Sequence, residues 1–332
     1  MPARRDRRRA ARNLSNVTVP TTRRLMIIGG AEDKLGQRRV LRRFVQYCGG
    51  SRSVIAVCAT ASSLGDEITN LYDKVFRELG AADVLSVRPV NRAEADATVA
   101  SKAVHGATGI FFTGGNQARL AAVLRGTALG DTVRQMYAQG VVVGGTSAGA
   151  SVVSEHMVAL GATGETPKQR MATLAQGLGL LPDVIVDQHF AERGRFGRLL
   201  ALVAANPSLL GMGVDEDTAA IITNETLLEV YGRGAIFLAD GRNAVSNAYA
   251  ARGTEPILIS GACVHFLPSG THFDLDSRQL TEYRTAVEQA QIARRTSDYI
   301  PDRTASVRVN AEGVDDRNAE RSVRRRRQRP PT

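Results

Sequence analysis

Short apolar runs that end in glycine or in a reactive polar residue, each followed by a stretch of helical periodicity, constrain this chain most. Leu25-Met26-Ile27-Ile28 runs into Gly29-Gly30. Val40, Leu41, Phe44 and Val45 then repeat at the spacing of one buried helical face. Ser53 to Cys58 reads as the next strand, and Ile68, Leu71, Val75, Phe76 and Leu79 as the next helix, stopped by Gly80. Val84 to Val87 is a third strand. Ile110-Phe111-Phe112 leads into Gly114-Gly115, Val141-Val142-Val143 into Gly144-Gly145, and Val184-Ile185-Val186 into Asp187-Gln188-His189. Runs this apolar need burial on both faces, and strands alternating with helices imply βαβ units around a mainly parallel sheet. Ligands of such sheets bind beyond the carboxyl ends of the strands. Gly30, Gly115, Ser147 and His189 each fall just past a predicted strand.

Beyond about residue 218 the long helices stop. Ala219 to Ile222, Leu227 to Val230, Ala235 to Leu238 and Ile257 to Ile259 predict hairpins that close the sheet edge in the C-terminal third, with a last helix over Glu282 to Ala293. The net charge of +10 suggests an anionic partner, but its distribution does not. Residues 1–24 carry eight Arg against one Asp and residues 294–332 eleven Arg against six acids, which leaves residues 25–293 at −2. The reading is therefore a disordered basic arm (1–22), one folded domain (23–293) and a charged Arg-rich tail (294–332). A nucleic-acid partner of the core is not supported. Cys48, Cys58 and Cys263 are too few and too widely spaced for a disulfide framework or a metal knuckle, and are expected reduced and mostly buried. No metal and no cofactor is called for. No apolar run approaches the ~18 residues of a membrane span, and Leu25 to Ile28 is too short for a secretory signal, so a cytoplasmic protein is expected.

The strongest local signal is Gly145-Thr146-Ser147-Ala148-Gly149, a G-x-S-x-G pattern between an all-valine strand and a helical stretch. That context is what a nucleophile elbow needs: small neighbours permit the sharp turn that lifts the hydroxyl above the sheet, at a helix N-terminus. A serine nucleophile needs a base. Of His105, His156, His189, His265 and His272, only His189 ends an apolar strand; His156 is expected on the helix that follows Ser147, pointing away from it. The base needs an orienting acid, and Asp215, Glu216 and Asp217 are candidates that spacing alone does not separate. Oxyanion donors are expected from the amide of Ala148 and from the Gly114-Gly115-Asn116 turn, with Gly115 foremost. Arg193, Arg195 and Arg198 do not form one helical stripe; taken alone they read as surface charge, with a carboxylate-binding cluster at the site mouth as the alternative.

Taken together, Gly29 to Lys34, Phe112 to Gln117, Gly144 to Ala150, Asp187 to Phe190 with the three arginines, and Asp215 to Thr218 resemble the cyanophycinase family of serine peptidases in order and spacing, over residues 24–290. The resemblance implies a flavodoxin-like three-layer sandwich, shared with class I glutamine amidotransferases and aspartyl dipeptidases. It implies exopeptidase release of β-Asp-Arg dipeptides from cyanophycin, a poly-aspartate with arginine on each β-carboxyl. It assigns Ser147 as nucleophile, His189 as base and Glu216 as acid, and makes Gln117, Asp187, Gln188, Arg193, Arg195 and Arg198 substrate-binding positions. Asp187 would pair with a substrate guanidinium and an arginine with its carboxylate. The family further suggests a homodimer. An aspartyl dipeptidase of the same fold, acting on small peptides, is the nearest alternative, and a nucleic-acid- or granule-binding protein working through its basic ends the remotest. An amidotransferase would carry cysteine where this chain has Ser147.

Overall fold

The computed structural model describes residues 21–285 and 287–288. The expected arm, except Thr21 and Thr22, and the whole expected tail lie outside these residues. The strands are β1 (Arg24–Ile28), β2 (Val54–Cys58), β3 (Asp83–Val87), β4 (Gly109–Phe112), β5 (Val142–Thr146), β6 (Ser154–Gly161), β7 (Ala172–Gln176), β8 (Leu181–Gln188), β9 (Leu210–Val214), β10 (Thr218–Thr223), β11 (Leu227–Gly232), β12 (Ala235–Asp240), β13 (Val245–Ser246), β14 (Ile259–Ser260), β15 (Cys263–Pro268), β16 (Thr271–Asp274) and β17 (Gln279–Tyr283). The α-helices are α1 (Arg39–Tyr47), α2 (Asp66–Glu78), α3 (Arg92–Asp96), α4 (Thr98–Lys102), α5 (Gln117–Leu124), α6 (Ala128–Ala138), α7 (Ala148–Val152) and α8 (Phe196–Ala205).

The glycine-ended runs of the N-terminal half form the parallel centre of a nine-stranded sheet, in the order β17-β16-β11-β10-β1-β5-β4-β2-β3. Side chains alternate across its strands. Leu25 and Ile27 of β1 enter one core with α5, α6 and α7, while Met26 and Ile28 enter another with α1 and α2. Helices therefore cover both faces, and the flavodoxin-like three-layer arrangement expected from the sequence holds. The hairpin β10–β11 extends the sheet antiparallel from β1, continued by β16 and β17.

A second sheet was not anticipated. Its order is β15-β12-β9-β8-β6-β7, so the run ending at His189 belongs to this sheet and not to the first. Met157, Val186, Met212 and Leu238 pack into the core shared with α5 to α7, whereas Ile185, Phe237 and Ala239 face α8. Two expectations are corrected here, on His156 and on the last helix, whereas the cysteines are mostly buried as expected. His156 lies on β6, because α7 ends after five residues and β6 begins at Ser154. Glu282 and Tyr283 end strand β17 instead of opening a helix, and most of the remainder of that expected helix lies outside the described residues. Cys263 is exposed, since β15 is an edge strand, whereas Cys48 and Cys58 are buried. Among the described residues no helix is long and apolar enough to cross a membrane.

Candidate active site

Four strand ends meet at one place: β1 and β5 from the first sheet, β8 and β9 from the second. Backbone hydrogen bonds through Gly29 and Gly30 join them. His189 N donates to Gly29 O at 2.7 Å, Asp217 N to Gly30 O at 2.9 Å, Gly29 N to Thr218 O at 3.0 Å, and Ser147 N to Ile28 O at 3.0 Å. Glycine is needed at this junction. A Cβ on Gly29 would stand 2.0 Å from Asp215 O, and one on Gly30 2.3 Å from Cε1 of His189.

Ser147 occupies φ 53°, ψ −109°, between the end of β5 and the start of α7. A non-glycine residue there is strained by roughly 1–3 kcal/mol, tolerated only where the surroundings over-determine it. The surroundings do: a Cβ on Gly145 would meet Gly149 O at 2.3 Å, and one on Gly149 would meet Phe112 O at 2.3 Å, so strand, elbow and helix close only around small residues. The G-x-S-x-G pattern thus does what its composition implies.

His189 follows β8 with φ 45°. Its Nδ1 lies 2.5 Å from Glu216 Oε1 and its Nε2 3.0 Å from Ser147 Oγ. An ionised carboxylate only accepts, so Nδ1 carries the proton and the Nε2 lone pair faces the serine hydroxyl. Gln188 Oε1 is a weaker rival acceptor for that hydroxyl, at 3.5 Å. Burial lowers the imidazole pKa below its usual 6.5; the charges of Arg193 and Arg195 push the same way, and the Glu216 hydrogen bond and charge oppose them. The ring is thereby kept neutral and ready to take a proton.

The structure separates the three acids that spacing could not. Asp215 accepts from the amides of Ala191 and Ala235, both at 3.1 Å, and so ties β9 to its neighbours. Asp217 accepts from Asp33 N at 2.9 Å. Glu216 alone of the three reaches the imidazole. Its own amide is held by Glu192 Oε1 at 3.2 Å, a contact that nothing in the sequence signals.

Ala148 opens α7 directly after Ser147, and the Gly114-Gly115 turn lies alongside: a Cβ on Gly114 would be 3.4 Å from Ser147 Cβ. Gly115 has φ 141° and is pressed against Ala61 O, which a Cβ would approach to 2.1 Å. The turn expected to supply one oxyanion donor is therefore next to the serine, and the residue expected to supply the other follows it directly. Gln117, first residue of α5, donates from Nε2 to the carbonyls of Val158 and Ala159 at 3.2 and 3.1 Å.

The charged positions differ from the expectation of an open clamp. Asp187 is fully buried, and its oxygens accept from Arg198 Nε at 2.5 Å, from a second Arg198 nitrogen, and from Arg195 Nη1 at 3.3 Å. Its carboxylate is spent on this cluster and presents no face to a ligand. Arg195 and Arg198, at 7 % and 4 % exposure, are neither surface charge nor a mouth; Arg195 also donates to Gln188 O, which fixes the residue before the histidine. Burial lowers the Arg195 pKa to about 10, against the opposing charge of Asp187. Arg193 is the exposed one of the three, beside His189. Arginine is mostly exposed in proteins, and the partner that buries these two lies on β8, so no local pattern could reveal it.

A serine with an oriented, neutral imidazole and a carboxylate behind it can attack an acyl carbon and pass a proton to the leaving group. The comparisons agree in kind. The family model for peptidase family S51 matches residues 25–230. The chain is 39% identical over 258 residues to the cyanophycinase of Nostoc sp., covering 76% of this chain and 86% of that protein. It is 40% identical over 258 residues to that of Synechococcus elongatus, covering 77% and 80%, and 38% identical over 259 residues to that of Geminocystis herdmanii, covering 77% and 94%. Among solved structures it is similar to a peptidase from an acI-B1 Actinobacterium, with a TM-score of 0.57 at 20% identity, over 77% of this chain and 98% of that one, which speaks for the fold.

Proposed function

The chain belongs to peptidase family S51, and from that premise we propose that it is a serine-type peptidase that hydrolyses cyanophycin, releasing β-Asp-Arg dipeptides from the polymer. The observation that carries the residue roles is the unbroken line Glu216–His189–Ser147, at 2.5 and 3.0 Å. In this reading Ser147 Oγ attacks the scissile carbonyl while His189 Nε2 takes its proton. Glu216 holds the ring and stabilises the imidazolium that forms. The developing oxyanion is met by the amides of Ala148 and Gly115. The imidazolium then protonates the leaving amine, which departs and leaves an acyl-enzyme on Ser147. A water molecule, deprotonated by the same nitrogen, releases the acid and restores the serine.

Substrate positioning falls to Gln117, Gln188 and Arg193, with Arg195, Arg198 and Asp187 acting from beneath by fixing the Gln188–His189 backbone. Exposed Arg193 suits a substrate carboxylate. The proposal includes a homodimer, as the family resemblance implies, and a place in the cytoplasm; sedimentation of the purified protein checks the first. The central test is mass spectrometry of the soluble products from cyanophycin, with Ser147→Ala as control. Release of β-Asp-Arg by the wild type, down about 10⁶-fold in the variant, is expected. No release from folded wild type would move the substrate to free aspartyl dipeptides, and equal release by Ser147→Ala would remove the nucleophile.

A further inference from the structure

Glu32 lies outside the serine, histidine and acid, yet is only 3% exposed. Its carboxylate accepts from Thr146 Oγ1 at 2.5 Å and from the Tyr72 hydroxyl, and it pairs with Lys34 Nζ at 2.9 Å. All three partners present donors, and a carboxylate is the side chain whose two oxygens can accept from all of them at once. The Tyr72 phenol is raised in pKa by burial and then by the Glu32 charge, so it stays a donor. Tyr72 is itself anchored, with its ring against Phe76 and Phe111.

Thr146 is the residue before Ser147. The elbow is therefore gripped on two sides: the Ser147 amide on Ile28 O, and the Thr146 hydroxyl on Glu32. The segment that carries Glu32 also holds the base and Asp217, the neighbour of the acid. Gly29 O receives His189 N, Gly30 O receives Asp217 N, and Asp33 N is bound by Asp217 Oδ1. One short segment thus fixes the nucleophile, the base and the residue that follows the acid relative to one another, and Glu32 is its side-chain attachment to the nucleophile strand.

We propose that Glu32 is a positioning residue for the reaction of Ser147: through Thr146 it holds the strained elbow at the distance from His189 that proton transfer requires. The inference rests on Ser147 being the nucleophile, but not on the identity of the substrate. A carboxylate serving the fold alone would alter stability and leave the serine's reactivity unchanged.

The test uses the full chain and four variants: Thr146→Val, Thr146→Ser, Glu32→Gln and the double variant Glu32→Gln/Thr146→Val. The readouts are the second-order rate of covalent labelling by a fluorophosphonate, kcat and KM on cyanophycin, and the thermal midpoint. Thr146→Val keeps side-chain shape, removes the hydroxyl and leaves Glu32 with Tyr72 and Lys34, so it carries the test even where Glu32→Gln does not fold. Thr146→Val and Glu32→Gln are each expected to label about 10- to 100-fold more slowly, the range for displacing a reacting group by up to an ångström. kcat should fall in step with KM nearly unchanged, Thr146→Ser should restore the rate, and the double variant should be no slower than the slower single one, because both remove one contact. Labelling of folded Thr146→Val at the wild-type rate, or multiplicative losses in the double variant, would overturn the inference. Wild type that does not label would remove the nucleophile assignment and this inference with it. Wild type that labels but leaves cyanophycin intact would remove only the substrate, and the labelling rates would still decide on Glu32.

Discussion

Gly30→Ala puts the geometry of the base under direct strain. The added Cβ would stand 2.3 Å from Cε1, 2.4 Å from Nε2 and 2.9 Å from Nδ1 of His189. An unstrained contact of this kind needs about 3.5 Å, so the ring must retreat by roughly an ångström. It cannot do so freely, since Nδ1 is bonded to Glu216 and the His189 amide to Gly29 O. A displacement of that size at a reacting group costs about 10²-fold in kcat. The backbone adds a separate cost. Gly30 has φ 106°, and alanine there loses roughly 1–2 kcal/mol of stability. Gly253→Ala separates the two effects, because Gly253 also has positive φ, 59°, but a Cβ there meets nothing within 4 Å. Steady-state release of dipeptide and the thermal midpoint should be measured for both variants. Both should melt earlier than wild type, and only Gly30→Ala should lose turnover. A folded Gly30→Ala enzyme within about threefold of the wild-type kcat would refute the argument that ring position limits the reaction.

Activity should have its acidic limb below pH 6.5, because the base must be neutral and burial holds the His189 pKa below that value. The same shift makes the folded state bind this proton more weakly than the unfolded chain, so the group's stabilising effect is complete above pH 6.5 and is lost as pH falls through the folded value; a kcat/KM profile with its limb above 6.5 would contradict the assignment. Asp187→Asn should cost about 3–5 kcal/mol in urea unfolding, since it leaves Arg198 and Arg195 buried without their carboxylate; a loss under about 1 kcal/mol would mean that water reaches the cluster. A thiol reagent should modify Cys263 in the native protein and spare Cys48 and Cys58, both pushed up in pKa by burial, Cys58 to about 11. Intact-mass analysis should show one adduct before denaturation and three after it.

The parts legible in the sequence are those governed by local chemistry. Apolar runs ending in glycine marked β1, β4 and β5, and the small residues around Ser147 marked the elbow, because backbone conformation and close packing act within a few residues. Where spacing failed, the deciding partner was distant. Asp215, Glu216 and Asp217 occupy one turn, and which of them meets His189 depends on the path of a chain with φ 49° at Asp217. Arg195 and Arg198 look like surface residues until β8 supplies Asp187 as their buried partner. Glu32 sits in a loop with no periodicity to announce burial, and its partners come from α2 and β5. The second sheet was missed because β6 follows α7 almost at once, leaving no room for the helical pattern expected around His156.

Strand β1 lies between β5 and β10, so the first strand of the fold waits for one of its last neighbours. During synthesis Ser147 leaves the ribosome long before Glu216, and longer still before β10 is free to pair with β1. Until then Gly29 lacks the Thr218 carbonyl and His189 lacks its acid. In the proposed mechanism a half-made chain therefore carries Ser147 without its base and acid, and the line Glu216–His189–Ser147 closes only when strand ends from both sheets are in place.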